Sequence, residues 1–195
     1  MKPKFSTYKH NNNYFYGVFK DNAMADLSSL LPWKSLKDAI ANDGMDSLVK
    51  IADKAPITHN DFTFERPILN PEKIICVGVN FPNRNAEYKD GENTSSYISL
   101  FPRFERGFTG HLEPLIRPPE SSQLDYEGEI AVVIGKTGRR ILENNAYDHI
   151  VAITLCNEGT IRDWTRHGKF NVTQGKNWDN SGSMGPWIIP FYESS

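Results

Sequence analysis

Two glutamates at the start of an apolar run are candidates for binding a cation. Glu127 and Glu129 stand two residues apart, directly before the apolar residues 130–134. Side chains at i and i+2 of a strand share one face, about 7 Å apart along the chain. Neighbouring carboxylates beside an apolar strand cost free energy unless a cation neutralises them, and Mg²⁺, Mn²⁺ or Ca²⁺ prefers such oxygen ligands. An ordinary half-exposed strand with both glutamates in solvent fits the same pattern.

A further carboxylate follows the next apolar run. Residues 150–156 predict a buried strand, and Glu158 comes directly after it. Residues 73–79 and 130–134 predict two more buried strands, because each run is short, aliphatic and bounded by turn residues. Glu158 therefore stands at a strand end, where binding sites are commonly built.

The chain divides into a small N-terminal module, residues 1–70, and a larger domain, residues 71–195. Residues 14–19 alternate as a strand does. Ser35 and Asp46 are each placed to cap a short helix. A proline-containing loop marks the boundary between the two parts.

Composition excludes several function classes. The 195 residues are 38% hydrophobic and 24% charged, as in folded globular proteins. A net charge of -2 gives no reason to expect a nucleic acid or an anionic membrane as partner. No apolar run approaches the roughly 18 residues of a membrane span. Cys76 and Cys156 lie in apolar surroundings without metal-motif spacing, so we expect free thiols in a reducing cytoplasm.

Five segments carry a resemblance to a known family. They are KIICVGVN (73–80), DYEGEIAVVIG (125–135), NEGTIRDW (157–164), GK (175–176) and GPW (185–187). In this order and with this spacing they resemble the fumarylacetoacetate hydrolase family, and the N-terminal module looks like the family's small leading domain. The resemblance implies an α+β, β-rich fold: a mixed, strongly bent β-roll that forms the metal-binding catalytic domain.

The same resemblance implies a metal held by three carboxylates, Glu127, Glu129 and Glu158. The family more often has Asp at the third position, and Glu keeps the charge and the oxygen donor but is one methylene longer. The expected cofactor is Mg²⁺ or Mn²⁺, with Ca²⁺ as an alternative in crystals.

Three further residues match positions of the family, and a fourth falls near one. Lys176 matches its active-site lysine, a cation that would pair with the substrate's carboxylate or with developing enolate charge, although an ordinary surface lysine is the alternative. Arg103 falls near a family lysine that contacts substrate. Arg162 and Asp163 match an Arg-Asp pair that we expect to orient Glu158 and its strand.

One segment departs from the family pattern. Many relatives carry Asn-Tyr-x-x-His-x-x-Glu after the first large strand, with the His and Glu as an acid–base pair. Here Glu87 is in place, but Arg84 holds the histidine position, and arginine cannot serve as a general base. Either Glu87 acts on a metal-bound water, or Arg84 binds a second carboxylate of a diacid substrate and Glu87 orients it. His111 is another candidate base.

The resemblance implies an enzyme for small 2-oxo or β-diketo acids that works through a metal-bound enolate. We expect C–C bond hydrolysis first. The alternatives are isomerisation, hydration or decarboxylation of a 2-hydroxy-dienoate in aromatic catabolism, or a catalytically silent binding homologue. A homodimer is also implied.

Family members usually continue well beyond the Gly-Pro-Trp segment at residues 185–187. We therefore expect that these 195 residues are the N-terminal portion of a longer protein, or that another chain supplies further strands.

Overall fold

The N-terminal module is an antiparallel sheet with two short helices. The computed structural model describes residues 2–81, 98–168 and 171–192. Within the first range the four strands are β1 (Phe5–His10), β2 (Asn13–Lys20), β3 (Ala23–Asp26) and β4 (Thr63–Phe64). The sheet has the order β3-β2-β1-β4. The tight turn after β1 places Asn11 and Asn12 at positive φ, which asparagine tolerates. The strand predicted at residues 14–19 is confirmed.

The two helices are α1 (Leu36–Ala41) and α2 (Met45–Ala52). Ser35 caps α1 as predicted, because its hydroxyl oxygen accepts a hydrogen bond of 3.1 Å from the amide of Asp38. The predicted cap at Asp46 is wrong. Helix α2 begins after Gly44, whose amide bonds back to the end of α1 and whose missing side chain leaves room for Trp33.

The second part of the chain is organised around one long strand, Ile150–Asn157. The strands described in this part are β5 (Ile74–Gly78), β6 (Ser99–Arg103), β7 (Phe108–Thr109), β8 (Leu124–Asp125), β9 (Gly128–Ile134), β10 (Ile150–Asn157), β11 (Thr160–Ile161), β12 (Gly182–Met184) and β13 (Ile189–Pro190). Strand β9 pairs with β10 antiparallel along its length, while β12 and β13 share the other edge of β10 and β7 runs parallel to β12. Strands β5 and β6 form an antiparallel pair of their own, as do β8 and β11.

Short helical turns complete this part. Among the described residues of this part, three turns are 3₁₀ helices, at Glu105–Gly107, Glu143–His149 and Trp164–Arg166, and one is a single α-helical turn, α3 (Thr173–Lys176). The predicted β-rich α+β fold is confirmed. None of the helices in the described ranges is long and apolar enough to cross a membrane.

The two parts of the chain share one hydrophobic core. Phe5 of β1 and Ile188 exchange backbone hydrogen bonds of 3.0 and 2.8 Å. Ala152 of β10 and Ile188 belong to the same buried cluster as the helices α1 and α2. The N-terminal module therefore braces the strand that leads into Glu158.

Strands β5 and β9 are half-buried on one face and exposed on the other, which corrects the prediction of buried strands. Ile130 of β9 is 70% exposed, and Val132 and Ile134 on the same face are also exposed. Ala131 and Val133 alternate with them and are half-buried. A short aliphatic run does not reveal whether one or both faces of its strand are covered.

Candidate metal centre

Three carboxylates meet where β9 begins and β10 ends. Glu127, Glu129 and Glu158 each offer an oxygen, and these atoms lie within 4.8 Å of one another. The antiparallel register explains the meeting, because Gly128 lies opposite Asn157, which directly precedes Glu158. The Glu158 amide also donates a backbone hydrogen bond of 2.7 Å to the Glu127 carbonyl oxygen, which holds these two residues side by side.

Two residues that the sequence did not single out shape this junction. The Asn157 side-chain oxygen accepts a 3.1 Å hydrogen bond from the Glu127 amide. Gly159 packs so tightly that a Cβ there would lie 1.9 Å from the carbonyl oxygen of Ser181. Only glycine allows this approach, which holds the segment after Glu158 against the start of β12.

Two cations bind the carboxylates directly. Lys176 Nζ, at the end of α3, lies 2.6 Å from Glu127 Oε2 and 2.7 Å from Glu158 Oε1. Arg162 pairs with the other oxygen of Glu127, and its Nε lies 2.6 Å from Asp125 Oδ2. Lys176 is only 6% exposed, so it is not an ordinary surface lysine. Arg162 thus forms ion pairs with Glu127 and Asp125, whereas the sequence led us to expect that it orients Glu158.

A third cation, Arg103, lies beneath Glu158. It is 2% exposed, and its Nη1 is 3.5 Å from Glu158 Oε1. Its guanidinium also donates to the carbonyl oxygens of Gly159 and Gly107, at 3.0 and 3.3 Å. The family resemblance led us to expect Arg103 to contact the substrate. In the structure its guanidinium instead contacts Glu158, Gly159 and Gly107 of the protein itself.

Burial and like charge shift the acid–base behaviour of the centre. Burial raises the pKa of Glu129, and the neighbouring carboxylates of Glu158 and Glu127 raise it further. Burial lowers the pKa of Arg103, although the Glu158 carboxylate opposes this shift. A divalent cation would relieve the repulsion that Glu129 experiences.

The residues fit a hard divalent cation. All three donors are carboxylate oxygens, the ligands that Mg²⁺ and Mn²⁺ prefer. Glu158 Oε1 is buried and lies 2.7 Å from Lys176 Nζ and 3.5 Å from Arg103 Nη1, so this oxygen already faces positive charge. A carboxylate oxygen has two lone pairs and can bind a metal ion beside such a contact.

The other predicted residues lie apart from the carboxylates or outside the described ranges. Arg84 and Glu87 fall in residues 82–97, which the structure does not describe. Asp163 accepts hydrogen bonds from the Ser121 hydroxyl and from the Trp164 amide, so it holds the loop before β8.

His111 also lies apart from the carboxylates. Its ring packs against Phe64, with the centroids 5.5 Å apart. It lines a cavity of about 180 Å³ to which none of the three carboxylates contributes. The remaining lining residues are Tyr126, Leu155, Cys156, Asn157, Ser183, Met184 and Gly185.

Sequence comparison finds one family and several curated relatives. The family described as "Fumarylacetoacetate (FAA) hydrolase C-terminal" matches residues 73–194. Oxaloacetate tautomerase YisK of Bacillus subtilis (strain 168) is 40% identical over 126 residues, which cover 63% of this chain and 41% of that protein. The mitochondrial oxaloacetate tautomerase fahd2 of Xenopus laevis is 34% identical over 135 residues, covering 68% and 41%. The chain thus spans about two fifths of the length of these relatives.

Solved structures with the same fold extend further than this chain. A fumarylacetoacetate hydrolase (EaFAH) from Exiguobacterium antarcticum superposes with a TM-score of 0.80 at 27% identity, covering 96% of this chain and 66% of that one. A maleylpyruvate hydrolase from Sphingobium sp. SYK-6, in complex with manganese(II) and pyruvate, superposes with a TM-score of 0.70 at 18% identity, covering 96% and 67%.

Proposed function

The chain belongs to the fumarylacetoacetate hydrolase family, and from this premise we propose that it is a divalent-metal-dependent enzyme acting on a 2-oxo acid. The proposed reaction is keto–enol tautomerisation, or a related isomerisation, of a 2-oxo diacid. One observation carries the proposal: three carboxylates lie within 4.8 Å of one another, and Lys176 bridges two of them.

Glu127, Glu129 and Glu158 would hold the metal ion. Bound there, Mg²⁺ or Mn²⁺ would act as a Lewis acid that draws electron density from the substrate's oxygen atoms. Arg162 fixes one oxygen of Glu127 by an ion pair, which leaves this carboxylate a single orientation. The backbone bond between Glu158 and Glu127 keeps two of the ligands in register.

Lys176 would supply the cation that recognises the substrate's carboxylate. Its ammonium is already beside two of the proposed ligands, and it lies 5.1 Å from the centre of the Phe101 ring. A cation beside an aromatic wall in a mostly buried site acts more strongly on a developing negative charge than the same cation in water.

Both candidate reactions depend on a group that transfers a proton. Tautomerisation moves a proton between carbon and oxygen, and C–C hydrolysis removes one from a water molecule. His111, the candidate base, lines a cavity without the carboxylates. Arg84, at the family's histidine position, stays protonated.

The curated relatives support the same reaction class. YisK and the Xenopus fahd2 are named as oxaloacetate tautomerases and share 40% and 34% identity with the matched part of this chain. Oxaloacetate is a 2-oxo diacid, so one cationic side chain and a metal could recognise its two ends.

C–C bond hydrolysis is the second candidate. The superposition on EaFAH, named as a fumarylacetoacetate hydrolase, favours it at 27% identity and a TM-score of 0.80. The two candidates share the metal centre and differ in the product. Hydrolysis splits the carbon chain and adds one water, while tautomerisation leaves the mass unchanged.

The test begins with Mn²⁺ binding followed by electron paramagnetic resonance. We expect the unaltered chain to bind Mn²⁺ and Glu158→Gln to bind it at least about tenfold more weakly, since even outer partners of metal ligands change affinity that much. Glu143→Gln, which removes an exposed carboxylate, is the matched control and should bind Mn²⁺ normally.

Activity is then measured on oxaloacetate, with the loss of its enol followed by ultraviolet absorbance and the products by mass spectrometry. We expect Mn²⁺-dependent tautomerisation that Glu158→Gln abolishes and Glu143→Gln retains. Cleavage products carrying an added water would favour the second candidate. Absence of Mn²⁺ binding by the unaltered chain would refute both.

Two further properties rest on the family resemblance. We propose a homodimer, which sedimentation velocity would test by giving twice the monomer mass of 22.2 kDa. We also propose a cytoplasmic location, in agreement with the unpaired Cys76 and Cys156. Cell fractionation would test it.

A further inference from the structure

Arg103 occupies a position that a substrate-binding residue would not be expected to have. It is 2% exposed, and its guanidinium stacks on the ring of Phe108 at 4.4 Å from the centroid. Its Nη1 and Nη2 atoms donate to the carbonyl oxygens of Gly159 and Gly107. A substrate could reach this side chain only by replacing contacts that the fold itself makes.

These contacts join three segments around Glu158. Gly107 precedes β7, Gly159 directly follows Glu158, and Ser181, whose hydroxyl lies 3.5 Å from Nη2, precedes β12. The planar guanidinium has several N–H donors in a fixed, forked arrangement and can bond to several groups at once. The single nitrogen of a lysine cannot donate in the same directions. Arg103 therefore ties the backbone on the C-terminal side of Glu158 to the strands that flank it.

Arg103 also forms an ion pair with the carboxylate of Glu158. Glu158 is 5% exposed, and a carboxylate so buried requires a neighbouring cation. Lys176 is shared between Glu127 and Glu158, while the carboxylate beside Arg103 is that of Glu158, at 3.5 Å. The two cations thus have different tasks: Lys176 bridges two carboxylates, and Arg103 anchors one of them to the protein.

We propose that Arg103 is a positioning residue that fixes the Glu158 carboxylate for the metal centre, in place of the substrate contact that the family resemblance implied. The proposal deepens the proposed function and rests on it, because Glu158 is one of the three proposed ligands. The Glu158 side chain has several rotatable bonds to restrain. The buried guanidinium supplies that restraint through charge and through the carbonyl of Gly159.

A double-mutant cycle on the full chain tests the proposal. The variants are Arg103→Met, Glu158→Gln and the double variant. Unfolding in urea is measured in EDTA, and Mn²⁺ affinity is measured by electron paramagnetic resonance. The cycle reports a pairwise coupling that is absent when two side chains act independently.

We expect Arg103→Met to lower the urea midpoint strongly when Glu158 is present and much less in the Glu158→Gln background, since the lost cation then leaves no buried charge unpaired. Arg103→Met should weaken Mn²⁺ binding by about tenfold to a hundredfold, the range for partners that orient metal ligands. In the Glu158→Gln background it should cause no further loss. Arg103→Lys, which keeps the charge but not the fork, should recover part of the Mn²⁺ affinity.

Arg106→Met is the matched control, because Arg106 lies three residues away and pairs with Asp179 at the surface. It removes the same charge and should leave both the urea midpoint and Mn²⁺ affinity near those of the unaltered chain. Effects of Arg103→Met that simply add to those of Glu158→Gln would overturn the proposal, since a purely structural role predicts additivity.

Folding outcomes are equally decisive. If Arg103→Met fails to fold while the double variant folds, the coupling is supported; if neither folds, the positioning role is rejected. If the unaltered chain binds no Mn²⁺, the proposed function fails, and the cycle in EDTA decides the role of Arg103 by itself.

Discussion

Replacing Lys176 by methionine removes the cation that two carboxylates share. Lys176 Nζ lies 2.6 Å from Glu127 Oε2 and 2.7 Å from Glu158 Oε1, and the side chain is almost completely buried. Methionine has a similar length and no charge. Lys176→Met therefore leaves the packing nearly intact and removes the positive charge from the middle of the cluster.

The expected loss of stability follows from these distances. With an effective dielectric constant of about 20, each contact is worth about 6 kcal/mol of attraction. Withdrawing the ammonium and the carboxylates from water offsets much of this gain. Removing one partner of a buried ion pair costs about 3–5 kcal/mol, and we expect that loss here. For a chain of this size it corresponds to a fall in melting temperature of about 6–20 °C.

The assay is urea unfolding of the unaltered chain and of Lys176→Met, in EDTA and in excess MnCl₂. In EDTA the variant should lose the stated stability, because Glu127 and Glu158 are left facing each other. Mn²⁺ at about 100 times its dissociation constant adds about 2.7 kcal/mol to a protein that binds it. The gain at the same Mn²⁺ concentration should be larger in the variant, since the lost ammonium no longer competes for the two carboxylates.

Lys136→Met, which removes an exposed lysine, is the matched control and should change little. Equal stability of the unaltered chain and Lys176→Met in EDTA would refute the shared ion pair. An equal gain from Mn²⁺ in both would refute the idea that the ammonium and the ion use the same oxygens.

Three other perturbations test separate parts of the structure. Gly159→Ala should lower the free energy of unfolding by more than about 2 kcal/mol and weaken Mn²⁺ binding, because its Cβ would lie 1.9 Å from the Ser181 carbonyl oxygen; thermal unfolding and paramagnetic resonance measure both effects. His59 has a pKa below its ordinary value of 6.5, chiefly because burial disfavours its charged form, so its contribution to stability is present above pH 6.5 and is lost as the pH falls below it. Urea titrations between about pH 7.5 and about pH 5.5 should show a smaller pH-dependent loss for His59→Gln than for the unaltered chain. Burial raises the pKa values of Cys76 and Cys156 to about 12, so iodoacetamide at pH about 8 should alkylate both thiols much more slowly in the native chain than in urea. Equal rates in both conditions would contradict this burial.

The sequence alone determined the elements whose signals are local. Ser35 marks a helix start because a cap acts within one turn. The short aliphatic runs that became β9 and β10 are strands because so few consecutive apolar residues suit extended, partly buried backbone. The family pattern placed Glu127, Glu129 and Glu158 at one site, and the structure brings their oxygens together.

Two predictions from local sequence were wrong, because tertiary packing outweighed the local preference of the residues. Asp46 has the chemistry of a cap, yet α2 begins after Gly44, since only a residue without a side chain fits beneath Trp33 at the turn from α1. The aliphatic run of β9 predicted a buried strand, yet Ile130 is largely exposed. A short run of apolar residues predicts a strand, but it does not predict whether other elements pack against one face of that strand or both.

The partners of the buried cations follow from tertiary packing. Arg103 is more than 50 residues from Glu158 along the chain, and its burial follows from the way β6 packs against the segments that begin β7 and β12. The bridge from Lys176 to two carboxylates and the pairing of Arg162 with Glu127 depend equally on the β9–β10 register. Burial and distance set the strength and partners of a charge, and both arise only when remote segments pack together.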